Sequence, residues 1–215
     1  MAVDRRAAKP RGRPARRAGR PGEKLALAEA CAAAVAARRR GVGGQQAVLK
    51  PGQLATVVAI GAKRSLELVR IAFQEAVGGP EVIWVDGDNE LLVRAEKVRV
   101  VFRTGFVLIG VQVFCEQTGE SELVVPFATG TSEEPLGLIL ATEPAPRGPA
   151  ALVERWGDPI LASAWKALLE VARAVAAAAG TDDRREPLQP AALAVTARGM
   201  ALTPQARHAF DRAAP

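Results

Sequence analysis

Residues 81–128 read EVIWVDGDNELLVRAEKVRVVFRTGFVLIGVQVFCEQTGESELVVPFA. The runs EVIWV, ELLV, VRVVF, FVLIGVQVFC and ELVVPFA are rich in valine, isoleucine and aromatics, and DGDN, RAEK, RTG and EQTGES separate them. Branched and aromatic side chains suit pleated backbone, and the Gly, Asp and Asn insertions permit tight reversals, so the stretch predicts an antiparallel meander. Alternation at 98–103 turns Val98, Val100 and Phe102 one way and Arg99 and Arg103 the other. From Phe106 to Cys115 both faces are apolar, which predicts a central strand covered on both sides. Pro126 has no N–H for a ladder, so its strand is expected at an edge or with a bulge. LGLIL at 136–140 reads as a further strand.

Upstream, the pattern changes to helical spacing. EKLALAEACAAAVAARRR at 23–40 is dense in the best helix former and closes on three arginines, where a helix's negative end favours cations. A second helix is expected from Pro51 through Val77, bent at Gly61, with Leu54, Val58, Ala62, Ser65, Val69, Ala72 and Ala76 on one face. Read instead as a helix-turn-helix about Gly61, this segment would put Glu67 and Arg70 at core positions, which argues against it. Downstream, EPAPRGP at 143–149 is a stiff extended connection. It leads to a long helix at about 150–179, interrupted by Gly157-Asp158-Pro159, with Leu161, Trp165, Leu168, Ala172 and Val175 on one face. GTDDRREPLQP reads as a polar loop, and the last residues as a hairpin around Arg198-Gly199 followed by a short helix. The fold class is therefore α+β, with one antiparallel sheet of about five to eight strands flanked by two or three long helices. Residues 23–215 are expected to form a single domain, with the meander at about 81–142 and the hairpin and terminal helix at about 191–213.

The first 22 residues differ in kind. They hold eight basic side chains and one acid, a charge of +7, whereas the remaining residues carry 21 basic and 22 acidic groups, a charge of −1. All of the net +6 therefore lives in this arm, which has no aromatic residue and little to bury, and so is expected to be disordered when free. Within it, Pro10-Arg11-Gly12-Arg13-Pro14 followed by Arg16 and Arg17 resembles the PRGRP core of the AT-hook; Gly19-Arg20-Pro21 is a second, degenerate copy with Ala18 where an arginine would stand. The resemblance covers about a tenth of the chain. It implies an extended peptide in the minor groove of A·T-rich DNA, with Arg11, Gly12, Arg13, Pro14, Arg16, Arg17 and Arg20 as the nucleic-acid-binding residues. Physical chemistry supports that geometry: a narrow groove concentrates negative potential, glycine permits close approach and proline pre-extends the chain. An acidic protein or a lipid surface is the alternative anionic partner for such an arm.

No catalytic constellation stands out in the body. Cys31 and Cys115 are 84 positions apart with no CxxC and no neighbouring histidine, which argues against zinc and a disulfide framework and fits a reducing, cytoplasmic compartment, nucleoid association included. Asp86-Gly87-Asp88-Asn89-Glu90 reads as a hairpin turn, because an EF-hand needs glycine where Leu91 stands. His208 is the only histidine, with Asp211 three positions on, and it has no nucleophile nearby in sequence. GVGGQQ and FATGTSEEP lack the lysine and the strand-to-helix setting of a phosphate loop. Trp84, Trp156, Trp165, Phe102, Phe106, Phe114 and Phe127 read as core rather than as a stacking platform. No run approaches the ~18 apolar residues of a transmembrane segment, and LALAEACAAAVAA is interrupted by Glu29 and so fails as a signal peptide. No metal and no cofactor is implied.

The leading expectation is a non-enzymatic binding protein whose arm contacts nucleic acid while the body self-associates as a homo-oligomer or binds a protein partner. The alternatives are a scaffold subunit of a larger assembly with its arm on an acidic protein or lipid surface, and a small-molecule-binding or enzymatic α+β domain using a pocket between sheet and helix.

Overall fold

The computed structural model describes residues 23–40, 47–130 and 140–207. The elements run α1 (Glu23–Arg40), β1 (Ala47–Leu49), β2 (Val58–Gly61), α2 (Ala62–Val77), β3 (Glu81–Asp86), β4 (Asn89–Arg103), β5 (Phe106–Cys115), β6 (Gly119–Ala128), β7 (Leu140–Ala141), α3 (Ala150–Ala179), β8 (Gly180–Asp182), β9 (Gln189–Thr196) and β10 (Gly199–Gln205). The meander is there: β3-β4-β5-β6-β7 form one antiparallel sheet in chain order. A second antiparallel sheet has the order β2-β10-β9, and β1 pairs β8 in parallel. The protein is thus α+β.

RAEK was expected to separate two strands, but it lies inside one. Between the pairs Arg94↔Gln112 and Arg99↔Gly110, β4 advances five residues while β5 advances two, so residues 95–98 bulge. The bulge lets both Ala95 and Val98 point to the core, at 0% and 2% exposure, and Glu96 donates its N–H to the carbonyl of Pro80. Pro126 sits opposite Leu108, and β7 covers only the last two residues of β6. This near-edge position tolerates a residue that cannot donate.

The inner face of the sheet carries Trp84, Leu91, Val93, Ile109, Leu123 and Phe127, all buried in one apolar cluster with α2 and α3. α2 contributes Leu68, Val69, Phe73 and Val77, whose burial is worth about 1.5–3 kcal/mol each, whereas a free helix of this length is marginal in water. α1 adds a narrower stripe, Leu27, Cys31 and Val35, and is tied to α2 where Arg64 Nη2 donates to the carbonyl of Ala30 at 3.0 Å. The two antiparallel sheets join end to end, since Gly105 and Gly130 donate to the carbonyls of Val195 and Leu193 at 2.9 and 3.1 Å.

Three further expectations are corrected. Residues 51–61 are not helical: β2 is extended and pairs β10, and the helix starts only at Ala62, with Gly61 at φ −63°, ψ 155° before it. Cross-strand pairing to a partner some 140 positions away outcompetes local helical spacing in Val57, Val58 and Ile60, whose branched side chains favour strands. α3 is continuous through Gly157-Asp158-Pro159, because Pro159 forfeits one backbone bond while Trp156, Ile160 and Ala164 bury the same face. β10 runs to Gln205, and residues 208–213, where the expected terminal helix falls, lie outside the described residues, as do 136–139 of LGLIL. Finally, Gly180–Asp182 of the expected polar loop is strand β8, paired to β1.

Candidate functional site

The strand β5 is central, as expected, but only one of its faces is covered. Val107, Ile109, Val111 and Val113 are buried, whereas Phe106 is 47% and Phe114 37% exposed. The register extends this open face across the sheet. Ile83, Leu92 and Phe114 form one row, and Glu81, Arg94, Gln112 and Glu122 the next. Ile83 and Val85 on the edge strand β3 are also exposed. The second apolar face of β5 is therefore a surface feature, and the reading of Phe106, Phe114 and Trp165 (44% exposed) as core is corrected, while Trp84, Trp156 and Phe127 are buried. An exposed apolar face costs solvation in isolation and is the ordinary mark of a contact surface.

Ion pairs band the middle of this face. Arg94 holds Glu120 and faces Glu81 at 3.6 Å, and Arg99 binds Glu122 through two bonds, Nε to Oε1 at 2.9 Å and Nη2 to Oε2 at 2.7 Å. Hydrogen bonds from Arg99 hold the Glu122 carboxyl below its ordinary range, and Arg94 does the same for Glu120. Gly110 makes room for the fork. A Cβ there would fall 2.8 Å from Glu122 Cδ, so a side chain in the middle of β5 would push the carboxylate off the sheet.

One end of the face descends into a groove of about 980 Å³, built by the β3–β4 turn, the β5–β6 turn and the start of α3. Gly87 at φ 60° opens the first, two-residue turn, a conformation that favours glycine. The second turn is locked to the first where Gln117 Nε2 donates to Asn89 Oδ1 at 2.9 Å. Trp84 and Trp156, with centroids 6.3 Å apart, pin α3 to the sheet beside it. Ile83, Leu92 and Phe114 supply an apolar wall, and Asp86, Asp88, Glu90, Glu116 and Glu154 stand against a single base among the described residues, Arg155. Asp86 lies 3.6 Å from Arg155. Cys115 also lines the groove. Burial pushes its thiol up, but the Thr118 hydroxyl, the backbone N–H groups of Thr118 and Gln117 and the charge of Arg155 outweigh that and bring it below the ordinary value. Cys31 behaves oppositely: burial, with Glu75 adding to it against Arg64, drives its thiol up to about 12.

Arg11, Gly12, Arg13, Pro14, Arg16, Arg17, Arg20, His208 and Asp211 lie outside the described residues. Asp86–Glu90 is the hairpin turn expected, and the groove adds acids from two other segments to it. A signal for this was present in the meander: alternate turns of a meander lie at the same end, so DGDN and EQTGE had to be neighbours. The contribution of α3 had no such signal. Among the described residues, no group of three or more His, Cys, Asp or Glu side chains is disposed to hold a metal ion, and no helix is long and apolar enough to cross a membrane. Comparison of the chain with protein-family models, with curated proteins and with solved structures finds no match.

Proposed function

We propose that this chain is a non-enzymatic binding protein: its basic N-terminal arm contacts nucleic acid, with the minor groove of A·T-rich duplex as its preferred site, and its body self-associates or binds protein through the open sheet face. The observation that carries the reading is the charge partition, +7 in residues 1–22 against −1 in the rest. Among the described residues of the body, seven arginines are engaged in ion pairs with carboxylates, which lowers the weight of its basic groups further. Exposed Ile83, Val85, Phe106 and Phe114 support the second half of the reading.

The test compares the full chain with a variant carrying Gln at Arg11, Arg13, Arg16, Arg17 and Arg20, on duplex DNA at about 50 and 200 mM salt. Five arginines on phosphates give a log–log slope near −4.5, or roughly a 500-fold loss of affinity over that interval. The variant is expected to lose most of both affinity and slope. An A·T-rich duplex is expected to bind more tightly than a G·C-rich one. Equal binding by the two proteins, or salt-independent binding by the full chain, refutes the nucleic-acid role.

A further inference from the structure

Among the described residues the acidic groove is faced by one base, Arg155, and the chain carries a strongly basic segment at its N-terminus. Five carboxylates against Arg155 leave four net negative charges at one end of a sheet whose whole body sums to −1. Asp88, Glu90, Glu116 and Glu154 are exposed, and among the described residues none of the four forms an ion pair. The wall between them is apolar, with Ile83 55% and Phe114 37% exposed. That combination suits a segment alternating guanidinium groups with proline: arginines fork onto carboxylates and stack on the Phe114 ring, and prolines cover Ile83 and Leu92.

We infer that this groove is the docking site of the chain's own arm, with the segment from Arg11 to Arg20 as its occupant. Reach sets which end of the segment makes the contact. Counted from Glu23, where α1 begins, extended chain reaches up to about 10 Å to Arg20 and about 40 Å to Arg11, and a globule of this chain length is about 40 Å across, so the Arg11 end of the segment is the part with the reach to enter the groove. Tethering favours the chain's own arm over a neighbour's, because a short linker raises the local concentration to about millimolar, above that of a protein in dilute solution. Opposite charge then directs the arm to the groove over about one Debye length, ~10 Å at 0.1 M salt. The inference is independent of the nucleic-acid reading and adds a competition to it: an arm in the groove must leave before it can lie on a polyanion.

Limited trypsinolysis of the full-length protein, without nucleic acid, tests the docking. Cleavage after Arg11, Arg16 and Arg17, the arginines of the segment that no proline follows, is measured by mass and normalised to a free peptide of residues 5–20 in the same tube. At about 50 mM salt the tethered arm is expected to be cut roughly five-fold or more slowly than the peptide, and at about 500 mM salt equally fast. Asp88→Asn, Glu90→Gln, Glu116→Gln and Glu154→Gln together are expected to abolish the protection at low salt while leaving the melting temperature near that of the parent, because all four side chains are exposed. The salt arm of the test uses the unaltered protein and so stands even if the variant misfolds. An arm cut as fast as the peptide at low salt overturns the inference. Protection that survives the four substitutions moves the arm to another surface and also overturns it, and protection that grows with protein concentration assigns the contact to a second copy. If protection behaves as expected but neither protein binds DNA, the groove stands and the nucleic-acid reading falls.

Discussion

Gly199 and Gly61 face each other in the β10–β2 pair, yet alanine is expected to act oppositely at the two positions. At Gly199 the backbone has φ 129°, a conformation essentially reserved for glycine, which costs another residue about 1–3 kcal/mol. An added Cβ would also lie 2.8 Å from both Ala62 N and Gly61 C, and closer still to the carbonyl oxygen of Ile60. These are backbone atoms, so β2 itself must retreat. The retreat strains the clamp in which Ser65 Oγ donates to the Ile60 carbonyl at 3.0 Å and accepts from Met200 N–H at 3.3 Å. Losing two such buried bonds adds about 1–3 kcal/mol. Gly199→Ala should therefore destabilise by about 3–5 kcal/mol, a fall in melting temperature of about 10 °C for a chain of this size. At Gly61, φ is −63°, and nothing lies within 4 Å of an added Cβ. Gly61→Ala should be neutral or stabilise by up to about 1 kcal/mol through the unfolded chain. Urea unfolding followed by the fluorescence of buried Trp84 and Trp156 reads both variants, with midpoints compared at constant slope. Two variants within about 1 kcal/mol of each other, or in the reverse order, would refute the assignment of residues 58–61 to a strand under β10.

The two thiols should separate kinetically. In the native protein at about pH 7.5, an alkylating reagent is expected to modify Cys115 at the groove at least about 100-fold faster than Cys31, which is 0% exposed with its thiol driven up to about 12; equal rates by peptide mass mapping contradict this. The Arg99–Glu122 fork should appear in the acid limb of stability. A carboxyl held low in the folded state contributes stability above its unfolded value and loses it as pH falls through the folded one. Arg99→Ala should accordingly lose no more than about 1 kcal/mol at pH 7, and the deficit should shrink as pH falls through and below the ordinary carboxylate range; a deficit independent of pH assigns the effect of Arg99 to packing.

Much of the fold could be read because its signals are local. Alternation in Val98–Arg103, the Gly-Asp step at 87–88 and the Arg198-Gly199 reversal each determine a strand or a turn from a handful of adjacent residues, and the alanine-rich run of α1 does so for a helix. Charge is likewise a property of the chain, so the +7 arm needed no coordinates. Other features depended on partners distant in sequence. Val58–Gly61 has helical spacing and branched side chains at once, and only the arrival of Gly199–Leu202 decides between them. The two apolar faces of β5 look identical in sequence, and only the packing of α2 and α3 on one side makes Ile109 core and leaves Phe114 as wall of a groove. The acids of that groove come from two turns and a helix, at 86–90, 116 and 154, and sequence spacing carries no information about a distance that chain folding sets. The chain by itself determined what strands, helices and charge were available; the tertiary structure decided which apolar face stayed in water and which carboxylates met there, because burial and proximity are properties of packing rather than of sequence order.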